Sequence, residues 1–156
     1  MSYSTIESVS KKVDQNFFIQ FLNDENGTNE EIDLTNYNDP RVIRFNQIAD
    51  EVTEEINASL RGRYKLPLSN VSSIIQSISD DRVIYNVKKR RVRDNMLDSE
   101  QKIFDNSTKQ LQRIERGELL LDVDPVSPNA EGLAREIRVN KSADDKIFNN
   151  DVWNKY

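Results

Sequence analysis

Apolar residues along this chain fall into blocks with helical spacing, separated by polar stretches that proline or glycine marks. The clearest block follows Asp39-Pro40, a carboxylate suited to an N-cap and then proline at the first helical position. Val42, Phe45, Ile48, Ala49, Val52, Ile56 and Leu60 recur at intervals of three and four, with Asp50, Glu51, Glu54 and Glu55 on the opposite face. The spacing predicts an amphipathic helix of about six turns, with Gly62 as its stop. Ser72 can cap a second long helix carrying Ile74, Ile75, Ile78, Val83, Tyr85, Val87 and Val92. A third, from about Ser99 to Arg116, carries Ile103, Phe104, Leu111 and Ile114 and ends at Gly117.

The flanks are less regular. Ser4-Thr5-Ile6-Glu7 has the spacing of a capping box, and Ile6, Val9 and Val13 share a helical face. A dense apolar cluster follows, Phe17, Phe18, Ile19, Phe21 and Leu22, and then a polar loop from Asn23 to Asn38. Beyond the third helix, Glu118 to Val123 (ELLLDV) is a short apolar segment that fits a strand or a docking arm. Composition shifts at Asp124, where DPVSPNAEG reads as a linker. The remaining tail is polar but ends with Ile147, Phe148, Val152, Trp153 and Tyr156. Spacings of four among Phe148, Val152 and Tyr156 permit a short amphipathic turn laid against a partner. The pattern predicts an all-α fold: a small helical bundle over residues 1–123, and a linker with an extended C-terminal docking arm over 124–156.

Between the first two long helices lies LRGRYKLPLSN. Pro67 disfavours a helical Leu66, so Arg63 to Ser69 is expected to be extended. Gly62, Tyr64, Leu66, Pro67 and Leu68 form a structural joint, with Tyr64, Leu66 and Leu68 packed between helices. Arg63 and Lys65 then project from a stiff frame towards a neighbouring subunit, or are merely solvated.

Composition narrows the chemistry. The 156 residues contain no cysteine and no histidine, which removes disulfides, thiolate sites and the commonest general base and zinc ligand. No apolar run approaches the roughly twenty residues that cross a bilayer, and the N-terminus lacks a signal peptide's apolar core. The formal net charge of -5 argues against wholesale coating of nucleic acid. The densest basic run is VKKRRVR, where Lys88, Lys89, Arg91 and Arg93 suit a subunit or partner contact, a solvated helix end favoured by the macrodipole, or a phosphate backbone. No aromatic residues interleave it as base stacking would need. In Asn23 to Asp33, taking Gly27 as a calcium-loop turn puts Leu22 where an oxygen ligand belongs and Asp33 where a bidentate glutamate belongs, so no metal is expected. No Ser/His/Asp or Cys/His set exists and no glycine-rich phosphate loop is present. Neither enzymatic activity nor a cofactor is expected.

Three elements together carry a resemblance. Ile56, Gly62, Arg63, Tyr64, Leu66, Pro67 and Leu68 form the first; Asp81, Tyr85, Val87 and Arg90 the second; Leu111, Ile114, Gly117 and Leu120 the third. Their order resembles small tailed-phage head–tail connector proteins of the Mu-like prophage adaptor type, over roughly Met1 to Val123. Ser59 and the long polar insertion before Asp39 depart from that pattern. The resemblance implies a structural virion protein at the head–tail junction, assembled in the bacterial host cytoplasm. Such a protein forms a homo-oligomeric ring, dodecameric if it follows the portal. Its partners are the portal and the next connector or tail protein, with DNA only as passing cargo and no membrane. The alternative is a small helical DNA-binding or regulatory module using Lys88 to Arg93.

Overall fold

The computed structural model describes residues 2–24, 33 and 35–126. Its described body is all-α, with five helices: α1 (Ile6–Ser10), α2 (Gln15–Leu22), α3 (Pro40–Leu60), α4 (Ser73–Val92) and α5 (Asp98–Arg116). Helices α3, α4 and α5 pack each against the other two, and α4 also carries α1 and α2. The central position of α4 is visible in its burial, since Ile75, Ile78, Val83, Tyr85 and Val87 are buried together with Ser79, Asp80 and Arg82.

Local chemistry sets the helix starts. The Asp39 side chain accepts the Arg41 N–H with Pro40 behind it, and Ser72 accepts the Ile75 N–H. The first cap is Thr5, not Ser4: Thr5 and Ser8 form a reciprocal capping box. The Ser4 hydroxyl instead donates to Ser79 Oγ at 2.6 Å, tying the N-terminus to α4. A single helix face through Val13 does not form, because α1 ends at Ser10 and Asp14 caps a new helix by accepting the Phe17 N–H. That break turns Phe17, Phe18 and Leu22 inward.

The two glycine stops differ. Gly117 adopts φ +75 and closes α5, with its N–H donated to Ile114 O. Gly62 does not stop α3: the helix ends at Leu60, Arg61 caps it in a right-handed conformation, and a Cβ at position 62 would meet nothing within 4 Å. The core is one cluster in which Phe18, Phe45, Ile56, Leu60, Ile75 and Ile114 are fully buried, each stabilising the fold by about 1.5–3 kcal/mol.

Candidate functional site

The joint is more folded than an extended connector. Arg63 N and Tyr64 N both donate to Leu60 O, at 2.9 and 3.0 Å, so the chain continues in turns through Arg63. These two donors share one carbonyl that the helix end would otherwise leave open. Tyr64 makes an isolated bridge, the backbone bends at Leu66 and Pro67, and the bond between those two is cis. Tyr64 is buried in the core, while Leu66 and Leu68 are half-buried against it.

The segment Glu118 to Val123 neither forms a strand nor projects. It folds back over the joint, placing Leu121 in the core. The buried Leu121 N–H donates to the Tyr64 hydroxyl at 3.0 Å. Tyr64 and Pro125 form an antiparallel bridge, flanked by Val126 N to Arg63 O at 2.8 Å and Lys65 N to Asp124 O at 3.3 Å. Main-chain pairing therefore carries the body past Val123 to Val126. Arg63 turns inwards: its Nε donates to Glu115 O at 2.6 Å, with the guanidinium over Gly117. Lys65 stays exposed. Beside the joint lies an open cleft of about 550 Å³, bordered by Tyr3, Asn57, Arg61, Tyr64, Pro67 and Val126.

The basic run is also largely engaged within the chain. Lys88 pairs with Glu100 and lies 5.9 and 5.6 Å from the Phe17 and Phe21 ring centres. Arg90 grips both oxygens of Asp24, at 2.6 and 2.7 Å, and reaches Phe21 O. Arg91 reaches Asn23 O and Asp24, and Arg44 donates to Leu22 O at 2.8 Å. Three arginines thus close the C-terminal end of α2, supplying donors to its last carbonyls and cations to the negative end of its dipole. Burial alone would raise the Asp24 pKa. The Arg91 hydrogen bond and the charges of Arg90, Arg44 and Arg91 outweigh it and hold the carboxyl below its usual range. Lys89 lies over the Tyr85 ring at 5.9 Å. Arg93 caps α4 at φ +52 and is exposed.

Two buried groups escaped the sequence reading. Arg82 donates to Glu55 Oε2 at 2.7 Å and Thr108 Oγ1 at 3.1 Å, and its guanidinium sits 4.5 Å from the Phe104 ring centre. Asp80 accepts from Ser8 Oγ at 2.7 Å, joining α1 to α4. Tyr85, one of the resembling positions, stacks on Phe104 with ring centres 4.3 Å apart and donates to Gln101 Oε1 at 2.6 Å. Asp81, another, pairs with Lys12 at 2.7 Å.

Ile147, Phe148, Val152, Trp153 and Tyr156 lie outside the described residues, as does Gly27 with most of the polar loop around it. Among the described residues no three acidic side chains gather as a metal site would need, and no helix is long and apolar enough to cross a membrane.

No curated protein matches the chain. A family model described as Bacteriophage Mu, Gp36 matches residues 3–138, a span containing all five helices, the joint and the segment that folds over it. The chain therefore belongs to the bacteriophage Mu Gp36 family, a Mu-like phage protein family.

Proposed function

We propose that this protein is a head–tail connector subunit, an adaptor that assembles as a closed ring beneath the portal and lets DNA pass from capsid to tail. The observation that carries the reading is family membership across residues 3–138, together with the order of the joint and helix motifs along the chain. The geometry is compatible. A body braced at its core by Arg82 and at its surface by Arg63 and the Arg90–Asp24 pair is a stiff unit of the kind that repeats around a ring. Contacts in such a ring are heterologous, and a dodecamer follows if the ring adopts the portal's symmetry. Lys65, Lys89, Arg91 and Arg93 are the exposed members of the proposed contact set, Arg91 with Asp24 already beside it. Ile147, Phe148, Val152, Trp153 and Tyr156 are proposed as an arm that docks on a neighbour or on the portal, with large aromatics as its anchors.

The rival reading, a DNA-binding module using Lys88 to Arg93, is disfavoured by how that run is engaged. Lys88, Arg90 and Arg91 already hold carboxylates of their own chain. Negative-stain imaging and mass measurement, alone and with portal present, test the proposal: rings on the portal are expected. A monomer or dimer that binds one duplex sequence tightly at physiological salt would replace it with the rival, because affinity resting on phosphate contacts alone fades with salt.

A further inference from the structure

Several exposed charges of the body make no ion pair among the described residues, and among these stand two like-charged pairs of opposite sign, of which Lys89 also lies over the Tyr85 ring. On the outward side of α3, Asp50 and Glu54 stand one turn apart, both exposed, with no cation bonded to either among the described residues. Like charges at that spacing destabilise a helix, and mid-helix carboxylates gain nothing from the dipole. Glu55 differs, being turned to Arg82. The charge of Glu54 is also felt by Tyr3, whose hydroxyl pKa is raised by burial first and by that carboxylate second. At the corner between α4 and α5, Lys89 and Arg93 form the matching cationic pair, one turn apart, with the Arg93 N–H donated to Lys89 O.

Each pair has an unexplained aliphatic neighbour. Ile43 lies on the same outward stripe of α3, two turns before Asp50, and is 43% exposed. Leu97 follows Arg93 by four residues, is 64% exposed and occupies the N-cap of α5 without any side-chain cap. A serine or aspartate there would stabilise the monomer, and leucine forgoes that cap.

Resting on the connector reading, we infer that the α4–α5 corner of one copy, with Lys89, Arg93 and Leu97, seats on the outward face of α3 of the next copy, with Ile43, Asp50 and Glu54. The occupant is a second copy of this chain because the two surfaces complement each other in sign, in spacing and in carrying one aliphatic contact each. The two surfaces are built from different residues, so the contact is heterologous, of the kind that closes into a ring.

The test is a charge exchange on the full chain. Asp50→Lys with Glu54→Lys makes one variant, and Lys89→Glu with Arg93→Glu makes the other; neither replaces a buried residue or a member of the Asp24 cluster. Each alone is expected to keep its helical circular dichroism and to fall from the ring to the 18.1 kDa monomer. An equimolar mixture, and a chain carrying all four changes, are expected to recover the ring. Rings from either single variant, or a mixture that stays monomeric, would overturn the inference and leave the connector reading standing. A wild-type chain that is monomeric both alone and with portal would overturn the connector reading itself, and this interface with it.

Discussion

Arg63 Nε and the main-chain oxygen of Glu115 meet at 2.6 Å, joining the end of α3 to the end of α5. The contact supplies a cation to the C-terminal carbonyls of α5, where the helix dipole favours one. Because the site is solvent-facing, Arg63→Ala is expected to lower stability by only about 1 kcal/mol, read as a lower urea midpoint. Gly117→Ala is expected to cost more. It places a side chain at φ +75 and drives its Cβ into the Arg63 guanidinium. In a double-mutant cycle the two losses should be less than additive, since the Gly117→Ala methyl by itself already displaces Arg63. Additive losses would mean that the two positions do not interact.

Tyr64→Phe removes one oxygen and leaves the buried Leu121 N–H unsatisfied. The expected loss is about 1–3 kcal/mol, and hydrogen exchange should accelerate most at the Leu121 amide. Unchanged protection there would show that the tyrosine ring alone holds the segment.

Arg82 is 9% exposed but its partner Glu55 is half exposed. Truncating Arg82 to alanine strands no buried carboxylate, yet it opens space against Phe104 and removes donors to Thr108 and Glu55. A loss of about 2 kcal/mol is expected. Arg82→Met restores most of the volume without the charge and should lose less than half of that. Equal losses by thermal melting would assign the stabilisation to the charge instead of to packing.

Acid should loosen the end of α2. Asp24 and Asp39 both titrate below the usual carboxylate value of 3.8; for Asp39 the hydrogen bond from the Arg41 side chain is the main cause. A carboxyl depressed in the folded state adds stability that is present above its unfolded pKa and lost as pH falls through the folded one. The urea midpoint should therefore decline below about pH 4. Asp24→Asn should be less stable at neutral pH and show a shallower acid decline. A decline identical to wild type would exclude Asp24 as a source.

The two long helices whose apolar residues lie on one stripe were legible because α3 and α5 each face the core on one side. Asp39-Pro40 and Gly117 marked their ends for reasons that act within a few residues. Helix α4 is a different case. Its apolar residues lie all round because it has neighbours all round, and a polar group such as Arg82 survives there only through partners on α3 and α5. Periodicity cannot reveal those partners. The basic run misled in a similar way, since Lys88 to Arg93 reads as a surface feature until Asp24 and Glu100 are brought beside it. The Ser4-to-Glu7 spacing pointed to Ser4 as the cap, but Thr5 caps with Ser8, and Ser4 is engaged by Ser79, far along the chain. At the joint the structure departs from the expectation drawn there: Arg63 donates to Glu115 of its own chain, and Gly62 has no positive φ.

The closure of Glu118 to Val126 over Tyr64 has a consequence for how the chain is made. Helices α1 and α2 rest on α4, and the joint is sealed by Leu121 and Pro125, among the last of the described residues to be synthesised. A nascent chain leaving the ribosome holds Phe17, Phe18 and Phe45 exposed until α4 has emerged, and its joint stays open until Val126 has. Completion of the body therefore waits for nearly all of it to be translated, and a chain stalled before Val126 would leave the joint unsealed.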